Sequence, residues 1–67
     1  MTANDNNRLI GVREVMKRTS LSLTFIKRLR KADDFPRAVP LGDRRIGFVE
    51  SEIGDWIAGR MAARAAA

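Results

Sequence analysis

The sequence predicts one small, mainly α-helical domain that carries a two-stranded β-hairpin. Its length of 67 residues allows a single core, because a chain this short buries only about 60% of its unfolded surface. Apolar residues recur with a helical period in three segments and alternate only within residues 37–49. The chain has no Cys, so no disulfide framework is expected to support that core.

The positive charge of the chain is concentrated in its middle. Lys and Arg number 13 against eight Asp and Glu, for a net charge of +5 and a pI of about 11.1. Residues 8–45 hold eleven of the basic residues and four of the acidic ones, a net +7, whereas residues 1–7 and 46–67 each carry −1. This segregation predicts one positive face and a polyanionic partner, nucleic acid ahead of an acidic membrane surface. Chance clustering in a short chain is the alternative.

Several function classes are disfavoured by residue types that are missing. With neither His nor Cys, the chain lacks the commonest general base and the usual transition-metal ligands. We expect no enzyme, no metal and no cofactor. No apolar run approaches the roughly 20 residues that span a bilayer, and the polar N-terminal heptapeptide lacks the apolar core of a signal peptide. We therefore expect a cytoplasmic protein without membrane association.

Composition divides the chain into three parts. Residues 1–7 are predicted as a disordered lead-in, residues 8–64 as the folded domain and residues 65–67 as a frayed tail. Leu9 and Ile10 begin the domain as a short extended stretch.

The first helix is predicted over residues 12–18, without a strong N-cap. A turn over residues 19–22 follows, in which Ser22 is the predicted N-cap of the next helix and Leu21 packs back against the core. The apolar side chains of the first helix and the start of the turn share one face at helical spacing: Val12, Val15, Met16 and Thr19.

The second helix is predicted over residues 23–31, and Phe35-Pro36 prevents its continuation. Ile26 and Leu29 define its buried side. Two apolar residues, Leu23 and Phe25, lie on the flanks. The opposite face is mostly cationic and carries Thr24, Lys27, Arg28 and Lys31.

The hairpin is predicted within residues 37–49. A four-residue loop over residues 42–45 joins its strands and places Arg44 and Arg45 at the tip. Pro40 confines the first strand to an edge. Two pairs of alternating apolar residues define the strands: Val39 with Leu41, and Ile46 with Phe48.

Ser51 is the predicted N-cap of a third helix that runs to about Arg64. We place Phe35, Phe48 and Trp56 in the core, because three aromatic side chains supply much of the area that a tiny domain buries. The apolar stripe of the third helix consists of Ile53, Trp56, Ile57 and Met61.

Two short helices joined by a four-residue turn, the second cationic on its open face, form a helix-turn-helix. The hairpin with arginines at its tip forms a wing. An ordered series of residues extends over nearly the whole chain: Arg8-Leu9-Ile10, Glu14-Val15, Arg18-Thr19-Ser20-Leu21-Ser22, Ile26, Arg28-Leu29, Phe35-Pro36-Arg37, Leu41-Gly42, Arg44, Gly47-Phe48, Glu50-Ser51-Glu52-Ile53 and Trp56-Ile57. With this series, the sequence over residues 8–64 resembles the AlpA family of phage regulators.

The resemblance implies a winged helix-turn-helix of the MerR or excisionase type, in a nucleoid-associated protein encoded by a prophage or another integrative element. Such proteins bind DNA near an integrase gene or attachment site. Some regulate transcription, and others are excisionases that set the direction of recombination, so both roles stay open. Ser20 stands where the family often has Gly, which implies a backbone that a non-glycine residue can reach or that is slightly strained.

We predict that the second helix enters the major groove of double-stranded DNA. Arg28 is suited to a bidentate contact with guanine, and Thr24 to a thymine methyl group or a phosphate. Lys27 is predicted at the base edges with them, and Lys31 completes the cationic face. The alternative is a solvated face on which Lys27 and Arg28 pair loosely with the acidic residues that end the helix.

Further contacts are predicted around this helix. Ser22 and, more weakly, Ser20 are candidate phosphate contacts, because free backbone amides lie beside a capping serine; for Ser22 a purely capping role is favoured. Arg44 and Arg45 are expected at phosphates or in the adjacent minor groove. The alternative for these two is protection of the strand edge. Arg37 at the base of the hairpin is a weaker phosphate contact.

A lone domain with few phosphate contacts binds DNA weakly and with strong salt dependence. Dimerisation, or cooperative binding to repeated half-sites, would raise avidity, and an integrase is a further candidate partner. Leu23 and Phe25 either pack peripherally or contact a neighbouring subunit or a thymine methyl group. The competing function is an adaptor for integrase or polymerase that uses the same scaffold and binds DNA only non-specifically.

Overall fold

The computed structural model describes the backbone of residues 8–66 and the side chains of residues 8–64. The predicted lead-in at residues 1–7 lies outside the described residues, as does the end of the predicted tail at residue 67. Three helices and a small antiparallel sheet confirm the mainly helical winged helix-turn-helix. In chain order the elements are β1 (Leu9–Ile10), α1 (Val12–Thr19), α2 (Leu23–Lys31), β2 (Val39–Gly42), β3 (Arg45–Val49) and α3 (Glu50–Ala66).

Strand β3 is the centre of the sheet, whose order is β1-β3-β2. β1 pairs with β3 antiparallel, with Leu9 opposite Val49 and Ile10 opposite Phe48. The extended stretch predicted at the start of the domain therefore adds a third strand to the hairpin. β2 is an edge strand, as Pro40 predicted, because proline cannot donate a hydrogen bond to a second neighbour.

The predicted four-residue hairpin loop over residues 42–45 is wrong. Gly42 pairs with Arg45, so only Asp43 and Arg44 form the turn. An irregularity in β2 just before Gly42 shifts the register, and Arg44 takes a φ of 67° in the left-handed region. The alternation of apolar residues predicts strands with an unbroken hydrogen-bond ladder, so it could not reveal this shift in register.

The predicted N-cap at Ser51 is also wrong. Helix α3 starts at Glu50, directly after β3, and Ser51 lies inside its first turn. The amide of Glu50 donates to the carbonyl of Arg8 at 2.8 Å. One of the free amides at the start of α3 is thus satisfied by the main chain next to β1. Helix α3 runs to Ala66, beyond the predicted end near Arg64.

The core lies where the three helices meet the sheet. The ring of Phe35 meets those of Phe48 and Trp56 edge-on, with centroids 5.8 and 4.8 Å apart. The predicted burial of Phe35 and Phe48 is confirmed, whereas Trp56 is half-buried at the edge of the core. The buried side chains are Ile10, Val15, Ile26, Phe35, Phe48 and Ile53.

Candidate nucleic-acid interface

Helix α2 is capped at both ends. The Oγ of Ser22 accepts a hydrogen bond from the amide of Phe25 at 3.1 Å, which confirms the predicted N-cap. At the other end, the two amides that follow Ala32 donate to the carbonyls of Arg30 and Leu29 at 3.1 and 2.8 Å. This is the Schellman arrangement, and together the two caps define the length of the helix that the sequence assigned to DNA.

The turn before α2 places a serine in a conformation that favours glycine. Ser20 ends α1 with φ 62° and ψ 24°, and its amide donates to the carbonyl of Met16. The hydroxyl of Thr19 supports the turn, because it donates to the carbonyl of Val15 at 2.8 Å and accepts from the amide of Leu21 at 3.3 Å. A side chain at Ser20 costs about 1–2 kcal/mol in this region, so the turn carries backbone strain.

The outward face of α2 is open and cationic. On the inward side Ile26 is only 1% exposed and Leu29 is half-buried. Within the described residues, none of the three cations on the outward face forms an ion pair, so the loose pairing considered for them is not seen. The outward face consists of Thr24, Lys27, Arg28 and Lys31, all exposed.

The C-terminal end of α2 shares an open groove of about 420 Å³ with the segment that leads into the hairpin. Arg30, Lys31 and Arg37 line this groove together with Asp33. Arg37 and Asp33 approach to 4.0 Å, but both side chains are largely exposed, so the pair contributes little. The structure thus brings together two predicted contact residues, Lys31 and Arg37, and adds a third cation beside them.

That third cation, Arg30, was missed by the sequence analysis. Its guanidinium carbon lies 5.8 Å from the centre of the Phe48 ring in β3, within the range of a cation–π contact. Arg30 therefore connects α2 to the central strand of the sheet. On the helical wheel it falls between the buried and cationic faces, and no local signal could have singled it out.

The tip of the hairpin presents Arg44 and Arg45, both exposed. In the described part of the chain, no hydrogen bond or ion pair joins either side chain to α2. Ser20 and Ser22 are likewise exposed and flank the entrance of α2. The structure therefore offers these four as exposed surface positions, two at the start of α2 and two at the hairpin tip.

Arg18 belongs to the scaffold of the domain. Its Nε lies 2.9 Å from Glu14, and its Nη1 lies 2.8 Å from Glu50. The hydrogen bond from Arg18 lowers the pKa of Glu14, and the hydrogen bonds to Glu14 and Glu50 raise the pKa of Arg18. Arg8 lies 3.8 Å from Glu50 on the other side. This charged cluster ties α1 and β1 to the start of α3.

No helix in residues 8–66 has the length and apolar character needed to cross a membrane. No group of three or more potential metal-ligating side chains was found in the same part of the chain.

Known proteins resemble this chain at the level of sequence. The sequence model of the family described as "Prophage CP4-57 regulatory protein (AlpA)" matches residues 8–61. A protein of Enterobacteria phage P4 named "Uncharacterized protein ORF88" is 39% identical over 57 residues, which make up 85% of this chain and 65% of that relative. The chain thus spans just under two thirds of the relative's length. No solved structure gives a significant match.

Proposed function

The chain belongs to the AlpA family of prophage regulatory proteins, and from that premise we propose that it is a sequence-specific double-stranded DNA-binding protein of a prophage or integrative element. The observation that carries the proposal is the outward face of α2. Three cations without a described ion partner lie there on a helix that Ser22 caps and Ile26 anchors in the core. A short cationic helix with an open face fits the major groove of B-form DNA, which is about 12 Å wide.

Base readout is assigned to the first two turns of α2. Arg28 contacts the O6 and N7 atoms of a guanine, since its planar guanidinium can donate two parallel hydrogen bonds. Thr24, one turn earlier, contacts a thymine methyl group or a phosphate. Lys27 reaches the base edges with them, and Lys31 adds a phosphate contact along the same face.

Positioning contacts surround this helix. The amides beside Ser22, with Ser20 next to them, donate hydrogen bonds to a phosphate at the helix entrance. At the other end of α2, the groove that contains Arg37 lies along the sugar-phosphate backbone of the DNA. Arg44 and Arg45 reach phosphates or the neighbouring minor groove from the hairpin tip.

In this role the protein regulates the transcription of integrase or excision genes, sets the direction of recombination as an excisionase, or does both. It acts at the nucleoid. Both roles need the same DNA contacts. An integrase-promoter reporter and an in vitro excision reaction separate them, because a regulator changes the first and an excisionase is required in the second. Dimerisation, or cooperative binding to repeated half-sites, supplies the affinity that one small domain lacks.

Fluorescence anisotropy of the purified chain tests the proposal at several salt concentrations. One duplex spans the native integrase promoter and attachment region, and the other has the same composition in scrambled order. We expect the native duplex to bind roughly 10³-fold more tightly or better at physiological salt. Arg28→Ala should abolish most of that preference. Arg13→Ala, which removes the same charge from an exposed position on α1, should preserve it.

Equal binding of both duplexes, with a difference that never exceeds the salt-sensitive background, would contradict direct readout by this chain alone. The adaptor for integrase or polymerase would then become the leading function. It predicts weak, sequence-independent DNA binding together with tight binding to a protein.

A further inference from the structure

A second open groove, of about 440 Å³, runs between the helix-turn-helix and the part of α3 from Trp56 to Arg64. Its floor is apolar, with Leu21, Phe25 and Leu29 on one side and Trp56 and Met61 on the other. Phe25 and Met61 are 41% and 56% exposed. Large apolar side chains gathered at one exposed place mark an interaction surface more often than isolated ones do.

The rim of this groove is cationic. Arg18, Arg60 and Arg64 line it, and none of the residues lining it in the described part of the chain carries a carboxylate. Arg18 is already bonded to two glutamates, and Arg60 stacks on Trp56 with its guanidinium carbon 4.8 Å from the ring centre. Arg64 is exposed and makes no ion pair within the described residues. An occupant that complements this groove therefore combines apolar side chains with carboxylates.

A second copy of the chain fits that chemistry poorly. Outside the groove, the exposed large apolar residues on the described surface are Leu9, Leu23, Leu41 and Ile46. Leu41 and Ile46 belong to the hairpin that carries Arg44 and Arg45, so an approaching copy would present cations to a cationic rim.

We propose that this groove docks an acidic amphipathic helix of a partner protein. Such a helix would place apolar side chains at i, i+3 and i+4 against Phe25, Trp56 and Met61. Its carboxylates would pair with Arg60 and Arg64 at the rim. Because Phe25 directly follows Thr24 in α2, the partner would sit beside the face assigned to DNA. The proposal goes beyond DNA binding and does not depend on it.

The test uses a fluorescein-labelled 18-residue peptide with leucines on one helical face and glutamates elsewhere, titrated with the full chain in the absence of DNA. One control peptide has lysine in place of every glutamate, and another has the acidic composition in scrambled order. We expect a micromolar Kd for the acidic amphipathic peptide and binding at least ten-fold weaker for both controls. No binding at about 100 µM protein overturns the proposal, and so does equal binding of the scrambled peptide.

Two charge-matched variants locate the site. Arg64→Glu should weaken peptide binding five-fold or more, whereas Arg45→Glu, the same charge change at the hairpin tip, should leave it within two-fold. Circular dichroism melting checks that both variants fold. Met61→Ser gives a second, uncharged change in the groove and should also weaken binding. If Arg45→Glu weakens binding as much as Arg64→Glu, attraction is general and the groove is not a site.

Analytical ultracentrifugation of the chain alone tests whether a second copy of the chain occupies the groove. If the chain dimerises, Met61→Ser dissociates the dimer and the dimer excludes the peptide, then the groove holds a second copy and the proposal is wrong. A negative result in the peptide assay does not affect the proposal of DNA binding, because the two assays use different ligands.

Discussion

The indole Nε1 of Trp56 donates a hydrogen bond to the main-chain carbonyl of Asp34 at 2.9 Å. This contact ties α3 to the segment that follows α2. The same indole ring packs against Phe35 and lies under the guanidinium of Arg60. One half-buried side chain therefore connects the third helix to the end of the helix proposed to read DNA.

Trp56→Phe should lower the free energy of unfolding by about 1–2 kcal/mol. The variant keeps an aromatic ring but loses the hydrogen bond, worth about 1 kcal/mol, and part of the stacking surface. For a domain of this size the expected drop in melting temperature is roughly 4–8 °C per kcal/mol, measured by circular dichroism. A melting temperature equal to that of the wild type would mean that the indole N–H finds an equally good partner in water.

Ser20→Gly should stabilise the domain by about 0.5–1 kcal/mol, because glycine adopts a φ near 62° without the penalty of a Cβ. Urea unfolding measures the change. Ser20→Ala is the matched control, since it removes the hydroxyl but keeps the Cβ, and it should bring no gain. Equal stabilisation by both variants would show that the hydroxyl, rather than the backbone conformation, sets the cost.

Ser22→Ala should lower stability by about 1 kcal/mol through loss of the N-cap, whereas Ser51→Ala should stay within about 0.5 kcal/mol, because Ser51 caps nothing. Ser22→Asp separates the cap from the proposed phosphate contact. It retains the cap, so stability should be kept, while its negative charge should weaken DNA binding. Unchanged DNA affinity in Ser22→Asp would leave Ser22 a cap alone.

Arg44→Gly should weaken DNA binding and reduce the slope of log K against log salt by about 0.9, as expected for one lost phosphate contact. Its stability should be equal to or above that of the wild type, because glycine relieves the φ of 67°. Arg45→Ala should reduce the salt slope similarly without any gain in stability. An unchanged slope in both variants would favour the edge-protecting role of these arginines.

The pH dependence of stability should include a contribution from Glu14. The hydrogen bond from Arg18 lowers the pKa of Glu14 in the folded state, so its stabilising contribution is present above the ordinary value of about 4.3 and is lost as the pH falls through the lowered pKa. Melting temperatures measured between about pH 6 and 2 should therefore fall more steeply for the wild type than for Glu14→Gln. Parallel curves for the two proteins would contradict this.

The local parts of the fold and of the candidate site could be read from the sequence. The helical face that includes Val12 and Val15, the cap at Ser22 and the inward turn of Ile26 depend on residues within one or two turns. The exposed cationic face of α2 follows from the same spacing, because placing Ile26 in the core turns the opposite side to solvent. Whether that face contacts DNA stays a prediction until the duplex titration is made.

Features that depend on distant partners were missed or misplaced. Predicting the groove between α2 and α3 requires the positions of Phe25 and Met61 relative to each other. The half-burial of Trp56 depends in the same way on its packing against Phe35 and its hydrogen bond to Asp34, both far from it in the chain. Neither relationship can be predicted from hydrophobic periodicity, because that pattern describes one helix or strand at a time.

The three helices, the turn between the first two and the edge position of β2 follow from local sequence, because spacing, caps and proline act over a few residues. The start of α3, the register of the hairpin and the contact of Arg30 depend on how the elements pack together. The amide of Glu50, at the start of the helix, donates to the carbonyl of Arg8, and the guanidinium of Arg30 in α2 lies over the ring of Phe48 in β3. Each of these depends on a partner far away in the chain, and such partners are chosen by the packing of the core as a whole.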